Sequence, residues 1–243
     1  MKLSEIYEVL DSISPFALQE KWDNSGLNIG DLHQEIEGIY LALEADLQIV
    51  KSLPKNALLI THHPLIFTPL KSLQTAQYPS NLAQILLSNN NALIAMHTNF
   101  DKTHLNAHFA KNILGFTEAQ ECNMAQYCKI QESTIANLAL HLKQTLGLET
   151  IRFTPLESKI SDLYIVCGSG ASFLKEIPHK PSCLITGDIK YHDAMSALSM
   201  NIGCIDVEHY ASERDFPKIL KSILQIKSLK GIILHNFSPF SYI

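Results

Sequence analysis

None of the five cysteines (Cys122, Cys128, Cys167, Cys183, Cys204) pairs with another at Cys-x-x-Cys spacing, and their number is odd. A complete disulfide framework and a zinc-finger pattern are both excluded on that ground. Four of the five lie in or beside apolar runs, so reduced, buried thiols outside any metal site are expected. Cationic residues are scarce as well: 19 Lys and Arg against 24 Asp and Glu leave a net charge of −5, with no run of Lys or Arg longer than a pair. A nucleic-acid clamp needs a basic face, so that class ranks last. No apolar run approaches the ~20 residues of a membrane span. The first residues carry acids at Glu5, Glu8 and Asp11, where a secretory leader needs an apolar core, and the expected location is cytoplasmic.

What is present centres on histidine. Leu58-Leu59-Ile60-Thr61-His62-His63-Pro64 sets two adjacent imidazoles at the end of an apolar run. Residues 57–60 predict a buried strand, and Pro64 stops its ladder. Open α/β sheets bind ligands at the carboxyl ends of their strands, where both imidazoles emerge. Thirty-five residues on, the pattern recurs: Asn56-Ala57-Leu58 becomes Asn91-Ala92-Leu93, and His62 becomes His97, followed by Thr98-Asn99-Phe100-Asp101. That period suits one strand–helix–strand unit with residues 80–88 as the crossover helix. Two neighbouring strands then deliver His62, His63, His97 and Asp101 to one sheet edge. A third apolar run, 202–207, leads into Glu208-His209 and then Glu213. His209 and Glu213 stand four apart and share a face of a helical turn.

Four histidines and two carboxylates exceed the four ligands of a structural zinc. They suit two metals about 3.5–4 Å apart with a bridging carboxylate. Glu213 or Asp101 is the better bridge, because a carboxylate has two oxygens to share. Each residue also has an ordinary reading. His97 alone reads as a hydrogen-bonded loop residue, Asp101 as a helix cap, and His209 with Glu213 as a surface pair. Ligation is favoured by the coincidence that all three segments end a predicted strand and carry metal-competent side chains.

These residues resemble a known family. Thr61-His62-His63-Pro64-Leu65-Ile66-Phe67, His97-Thr98-Asn99-Phe100-Asp101 and Asp206-x-x-His209-x-x-x-Glu213 are similar to motifs of the type 2 homologues of GTP cyclohydrolase I, also called Nif-three-like proteins. Trp22-Asp23-Asn24-Ser25-Gly26-Leu27, Gly168-Ser169-Gly170 and Thr186-Gly187-Asp188-Ile189-Lys190-Tyr191-His192 extend the likeness over essentially the whole chain. The resemblance implies an α/β fold of two similar, intertwined α/β/α lobes with mixed sheets, assembled as a homohexameric ring. It implies a dinuclear site with ligands at His62, His63, Asp101, His209 and Glu213. His97 would sit beside the metals as a sixth ligand or a proton-transferring neighbour. Nitrogen and oxygen donors without thiolate suit two divalent ions drawn from Zn, Fe, Mn, Co or Ni. One departure is visible at Glu208, where the family usually has Gly. Glycine there would permit a left-handed backbone, so the turn presenting His209 is expected to differ.

The activity implied is metal-assisted hydrolysis, with His97 or His192 moving the proton to the leaving group. The family name points to a purine nucleotide, whose imidazole ring water opens with loss of formate. The alternative from another class is a ring-forming metal-binding scaffold or regulator without turnover.

Elsewhere, residues 4–13 predict an amphipathic helix through Ile6, Tyr7 and Leu10, and 39–43 the first core strand. Helices are expected over 106–114, stopped by Gly115, and over 134–146, ending at Gly147. The polar segment 118–131 reads as a connector or edge strand. Short strands are predicted at 151–153, 163–166, 184–185 and 231–234. This order suggests an N-terminal metal-binding lobe over 1–124, completed by 186–243, and a middle α/β lobe over 125–185. Gly168-Ser169-Gly170 follows a strand and is either a tight turn or a cradle whose N–H groups take a substrate phosphate. It lacks dinucleotide spacing and a P-loop Lys. Asp188 and His192 read as groups supporting the metals or facing substrate, or Asp188 as the cap of a helix over 191–198.

Overall fold

A computed structural model describes residues 1–241, so the last two positions of the 186–243 segment lie outside the described residues. Eleven strands occur among the described residues: β1 (Gly26–Ile29), β2 (Gly38–Ala42), β3 (Ala57–Thr61), β4 (Ala92–Ala95), β5 (Gln120–Cys122), β6 (Ala125–Ser133), β7 (Arg152–Phe153), β8 (Ile160–Ile165), β9 (Ser182–Thr186), β10 (Ile202–Asp206) and β11 (Gly231–Ile233). They form two mixed sheets, ordered β1-β4-β3-β2-β11 and β5-β6-β8-β9-β10-β7. The chain divides accordingly. One unit is Met1–Phe100 with Asp215–Phe237; the other is Asp101–Arg214 with the described residues from 238 on. The fold is α/β with two mixed sheets.

In the first unit β4, β3, β2 and β11 run parallel, and β1 closes the β4 edge antiparallel. Every residue of β3 and β4 is buried, as parallel strands covered on both faces must be. The helix Ser80–Ser88 is the crossover between β3 and β4. The sequence repeat spaces His62 and His97 by 35, yet the ladder pairs Leu58 with Ala92, an offset of 92 − 58 = 34. The reason lies in the turns entering the strands. Asn56 and Asn90, not Asn91, take positive φ (57° and 54°), a conformation asparagine tolerates. Asn91 instead uses its side chain to accept from the Ala57 amide at 2.8 Å. His62 therefore lies level with Met96, and His63 with His97. The helix Leu3–Ile13 buries Leu3, Ile6 and Leu10.

In the second unit β8, β9 and β10 are parallel, while β6 and β7 pair antiparallel on either side. Of the two readings of the polar 118–131 segment, connector or edge strand, the strand is the one formed. The segment folds as the β5–β6 hairpin, turned at Asn123 with φ 55°. The helix Ile135–Leu146 is capped by the Thr134 side chain and stopped by Gly147 at φ 68°. Helical structure starts at Thr98, earlier than the 106–114 expected, and runs to Ile113 with wide π-type turns over Asp101–Leu105. The domain boundaries also differ from those at 124/125 and 185/186. Strand pairing puts β9 and β10 in one sheet with β8, and only the segment Asp215–Phe237 returns to the first sheet, through β11 beside β2. Among the described residues, no helix is long and apolar enough to cross a membrane.

Candidate metal centre

Parallel β2, β3 and β4 end at one edge of the first sheet, and each releases a functional side chain there. Glu44 follows β2, His62 and His63 follow β3, and His97 follows β4. Asp23 precedes β1, which runs antiparallel to β4, so it reaches the same edge. His62, His63 and His97 each bring a ring nitrogen within 4.8 Å of the others.

Their tautomers follow from their partners. His62 is buried, and its Nδ1 stands 2.9 Å from the Met96 carbonyl oxygen. A carbonyl only accepts, so the proton sits on Nδ1 and the lone pair on Nε2. His63 Nδ1 donates to Glu44 at 2.7 Å, and His97 Nδ1 to Asp23 at 2.7 Å. Carboxylate and carbonyl partners of this kind hold ligating imidazoles in one orientation and raise their basicity. The Asp23 side chain is inaccessible to solvent and also accepts from Thr98 and Ser25. Burial alone would raise its pKa; the His97 hydrogen bond and charge, with the Thr98 and Asn24 donors, hold it well below the usual carboxylate range.

The second unit repeats the arrangement. β9 and β10 end side by side; Asp188 follows one and His209 the other. His209 Nδ1 donates to Asp188 at 2.7 Å, and its Nε2 faces Glu213 Oε2 at 3.0 Å. With the Nδ1 proton committed to Asp188, a lone pair meets a carboxylate oxygen, and a second proton or a cation must reconcile the two acceptors. Asp101 and Glu213, both buried, bring oxygens within 4.8 Å of one another.

Local backbone makes room for this cluster. Gly168 has φ +61°, and a Cβ there would lie 2.1 Å from Glu213 Oε1 and 3.3 Å from His209 Nε2. The Gly168 amide donates to Ser212 Oγ and the Gly170 amide to Thr186 Oγ1. The structure thus shows this turn spending those N–H groups inside the protein, with glycine serving the close approach of Glu213. Glu208 itself holds a glycine-favoured backbone, φ 65° and ψ 141°, so its side chain does not move the turn out of the positive-φ region as expected from the missing glycine. Asp206 secures it by accepting from the Glu208 amide, the Ile189 amide and Arg152. Asp188 serves His209; the helix Tyr191–Ser199 is capped at Lys190, with Asp193 accepting from the Lys190 amide. His192 is exposed, edge-on to Tyr191.

Sequence reasoning missed Glu44 and gave Asp23 no role. For Glu44 the available signal was a polar residue just past the end of a parallel strand. The donor set fits divalent metals: imidazole Nε2 and carboxylate oxygen, with no thiolate. Burial first, and then the Asp101 and Glu213 charges, push the Cys167 thiol well above the usual range. All five cysteines are free, and four are buried.

The family model for Duf34/NIF3 (NGG1p interacting factor 3) matches residues 1–239. The chain belongs to the DUF34/NIF3 family. Within it, a Helicobacter pylori protein named GTP cyclohydrolase 1 type 2 is 47% identical over 222 residues, covering 91% of each chain. A Campylobacter jejuni protein named GTP cyclohydrolase 1 type 2 homolog is 41% identical over 243 residues, covering 100% of both. The fold matches a Staphylococcus aureus crystal structure at TM-score 0.81 and 25% identity, covering 100% of this chain and 99% of that one. A Bacillus cereus protein related to NIF3 matches at TM-score 0.84 and 18% identity over the same shares.

Proposed function

We propose that this DUF34/NIF3 protein is a dinuclear metal-dependent hydrolase acting on a purine nucleotide, in the manner of a GTP cyclohydrolase. The observation that carries the reading is the shared tautomer of four histidines. His62, His63, His97 and His209 each have Nδ1 against an oxygen acceptor, which makes Nε2 the ligating or proton-accepting nitrogen in every case. The names of the Helicobacter and Campylobacter relatives support the nucleotide class.

In this reading His62, His63, Asp101, His209 and Glu213 hold two divalent ions, and the chain assembles as a hexamer. Bound there, the ions would supply Lewis acidity, lowering the pKa of water toward ~7 and polarising the electrophile. His97 takes a proton at Nε2 while Asp23 holds the opposite nitrogen and stabilises the imidazolium. His192, on its exposed helix, is the second candidate for proton transfer to the leaving group. The test is incubation of metal-loaded protein with GTP, reading formate release and loss of the purine spectrum. Formate formed in proportion to protein is the expected result; a metal-loaded protein that binds GTP without releasing formate overturns the hydrolase and favours the scaffold.

A further inference from the structure

Two of the largest aromatic side chains of the first unit stay in water beside the histidines. Trp22 is 59% exposed and Phe67 47% exposed. Their ring centroids are 5.9 Å apart with planes tilted by 51°. Both stand edge-on to His97 at 6.2 Å, with interplanar angles of 75° and 78°. His97 in turn lies 5.1 Å from His62 and 5.5 Å from His63, centroid to centroid. The aromatic pair therefore begins one ring away from the metal-competent nitrogens.

The backbone beneath these rings is tied down. Asn24 Nδ2 donates to the Ile66 carbonyl at 2.5 Å, and the Ile66 amide donates to Asn28 Oδ1 at 3.1 Å. These two bonds join the segment carrying Trp22 to the segment carrying Phe67. Asp23, next to Trp22, is the buried anchor of His97. The rings are thus held in place while their faces stay open, which is the condition for binding with little ordering cost.

We propose that Trp22 and Phe67 form a stacking platform for the base of the nucleotide, an inference that rests on the nucleotide-hydrolase reading. A planar heterocycle stacks on an indole or phenyl face whatever its hydrogen-bonding edge. A base lying on this pair adjoins His97, so the platform would present the ring to the group that moves its proton. Continuity with the histidines selects a planar ring as the occupant over a second copy of the chain.

The protein contains one Trp, so its indole fluorescence reports on Trp22 alone. GTP and ribose triphosphate without a base are titrated into metal-loaded protein, and affinities are taken in parallel by calorimetry. Saturable quenching by GTP but not by the base-free triphosphate is expected. Trp22→Ala and Phe67→Ala should each raise Kd about 10-fold or more, with metal content unchanged and Trp22→Phe restoring most of the affinity. Equal binding of the two ligands, or an unchanged Kd in both alanine variants, overturns the platform. If those variants alter sedimentation but not Kd, the pair is a contact between copies and the platform is overturned. Wild-type protein that carries metal and releases formate while the variants keep Kd overturns the platform alone; wild type that neither binds nor turns over GTP overturns the nucleotide reading with it.

Discussion

A Cβ on Gly168 would stand 2.1 Å from Oε1 of Glu213. The glycine turn after β8 and the carboxylate after β10 thus occupy space that only a missing side chain leaves open. Gly168→Ala should displace Glu213 and, with φ at +61°, strain the turn as well. A loss of about 1–3 kcal/mol in denaturant unfolding is expected, together with reduced metal content by elemental analysis. An alanine variant with full metal and unchanged stability would remove the packing role assigned to Gly168.

Glu208 presents the opposite case, a side chain where glycine would be relaxed. Its φ of 65° costs about 1–3 kcal/mol, and glycine's greater unfolded entropy returns about 1. Glu208→Gly should therefore gain about 1 kcal/mol net, read as a rise in the unfolding midpoint, with metal content preserved.

Asp23 orients His97 through a 2.7 Å bond to Nδ1. Asp23→Asn cannot stabilise an imidazolium, so kcat for GTP should fall about 100-fold or more while KM changes little. Equal losses in kcat and metal content would mean that Asp23 only builds the loop.

His63→Ala and Glu213→Ala should each lose metal while keeping most of the fold, as judged by circular dichroism and elemental analysis. Cys122→Ser and Cys128→Ser should retain full metal. A metal loss in the cysteine variants would reassign the ligands.

The hydrogen-bonded group Tyr127, Asp162 and Lys180 gives a pH-dependent contribution away from the metal ligands. Tyr127 donates to Asp162 at 2.6 Å, and Lys180 does so at 2.9 Å. The bond to Asp162, then burial, pushes the Tyr127 hydroxyl up to about 12 from an ordinary value of 10.0. A folded value raised above the unfolded one stabilises fully below pH ~10 and loses that stability as pH climbs toward 12. Tyr127→Phe should cost about 1 kcal/mol at neutral pH. The gap to wild type should narrow above pH ~10 in pH-dependent unfolding. A constant gap from pH 7 to 12 would show that the hydroxyl does not titrate with folding.

Sequence periodicity found the crossover helix Ser80–Ser88, the buried strands and the helix ending at Gly147, because these depend on neighbours a few residues apart. It also marked histidines and carboxylates at or just past strand ends, which type and place make conspicuous. For 118–131 it left a connector and an edge strand both open; the segment folds as a hairpin with β5 at the sheet edge and β6 paired to β8, a choice that polar composition alone does not make.

What the chain by itself determined is therefore the chemistry available: imidazole and carboxylate donors at strand ends, cysteines without Cys-x-x-Cys spacing, and a net charge of −5. Tertiary structure alone decided how that chemistry is set. A ladder offset of 34 brings Met96 level with His62, and residues distant in sequence, Glu44, Asp23 and Asp188, claim the Nδ1 atoms of three other histidines. Which nitrogen of a histidine keeps its lone pair depends on the acceptor beside the other one. That acceptor comes from a neighbouring strand, so it is set by sheet register and strand order and not by the residues flanking the histidine.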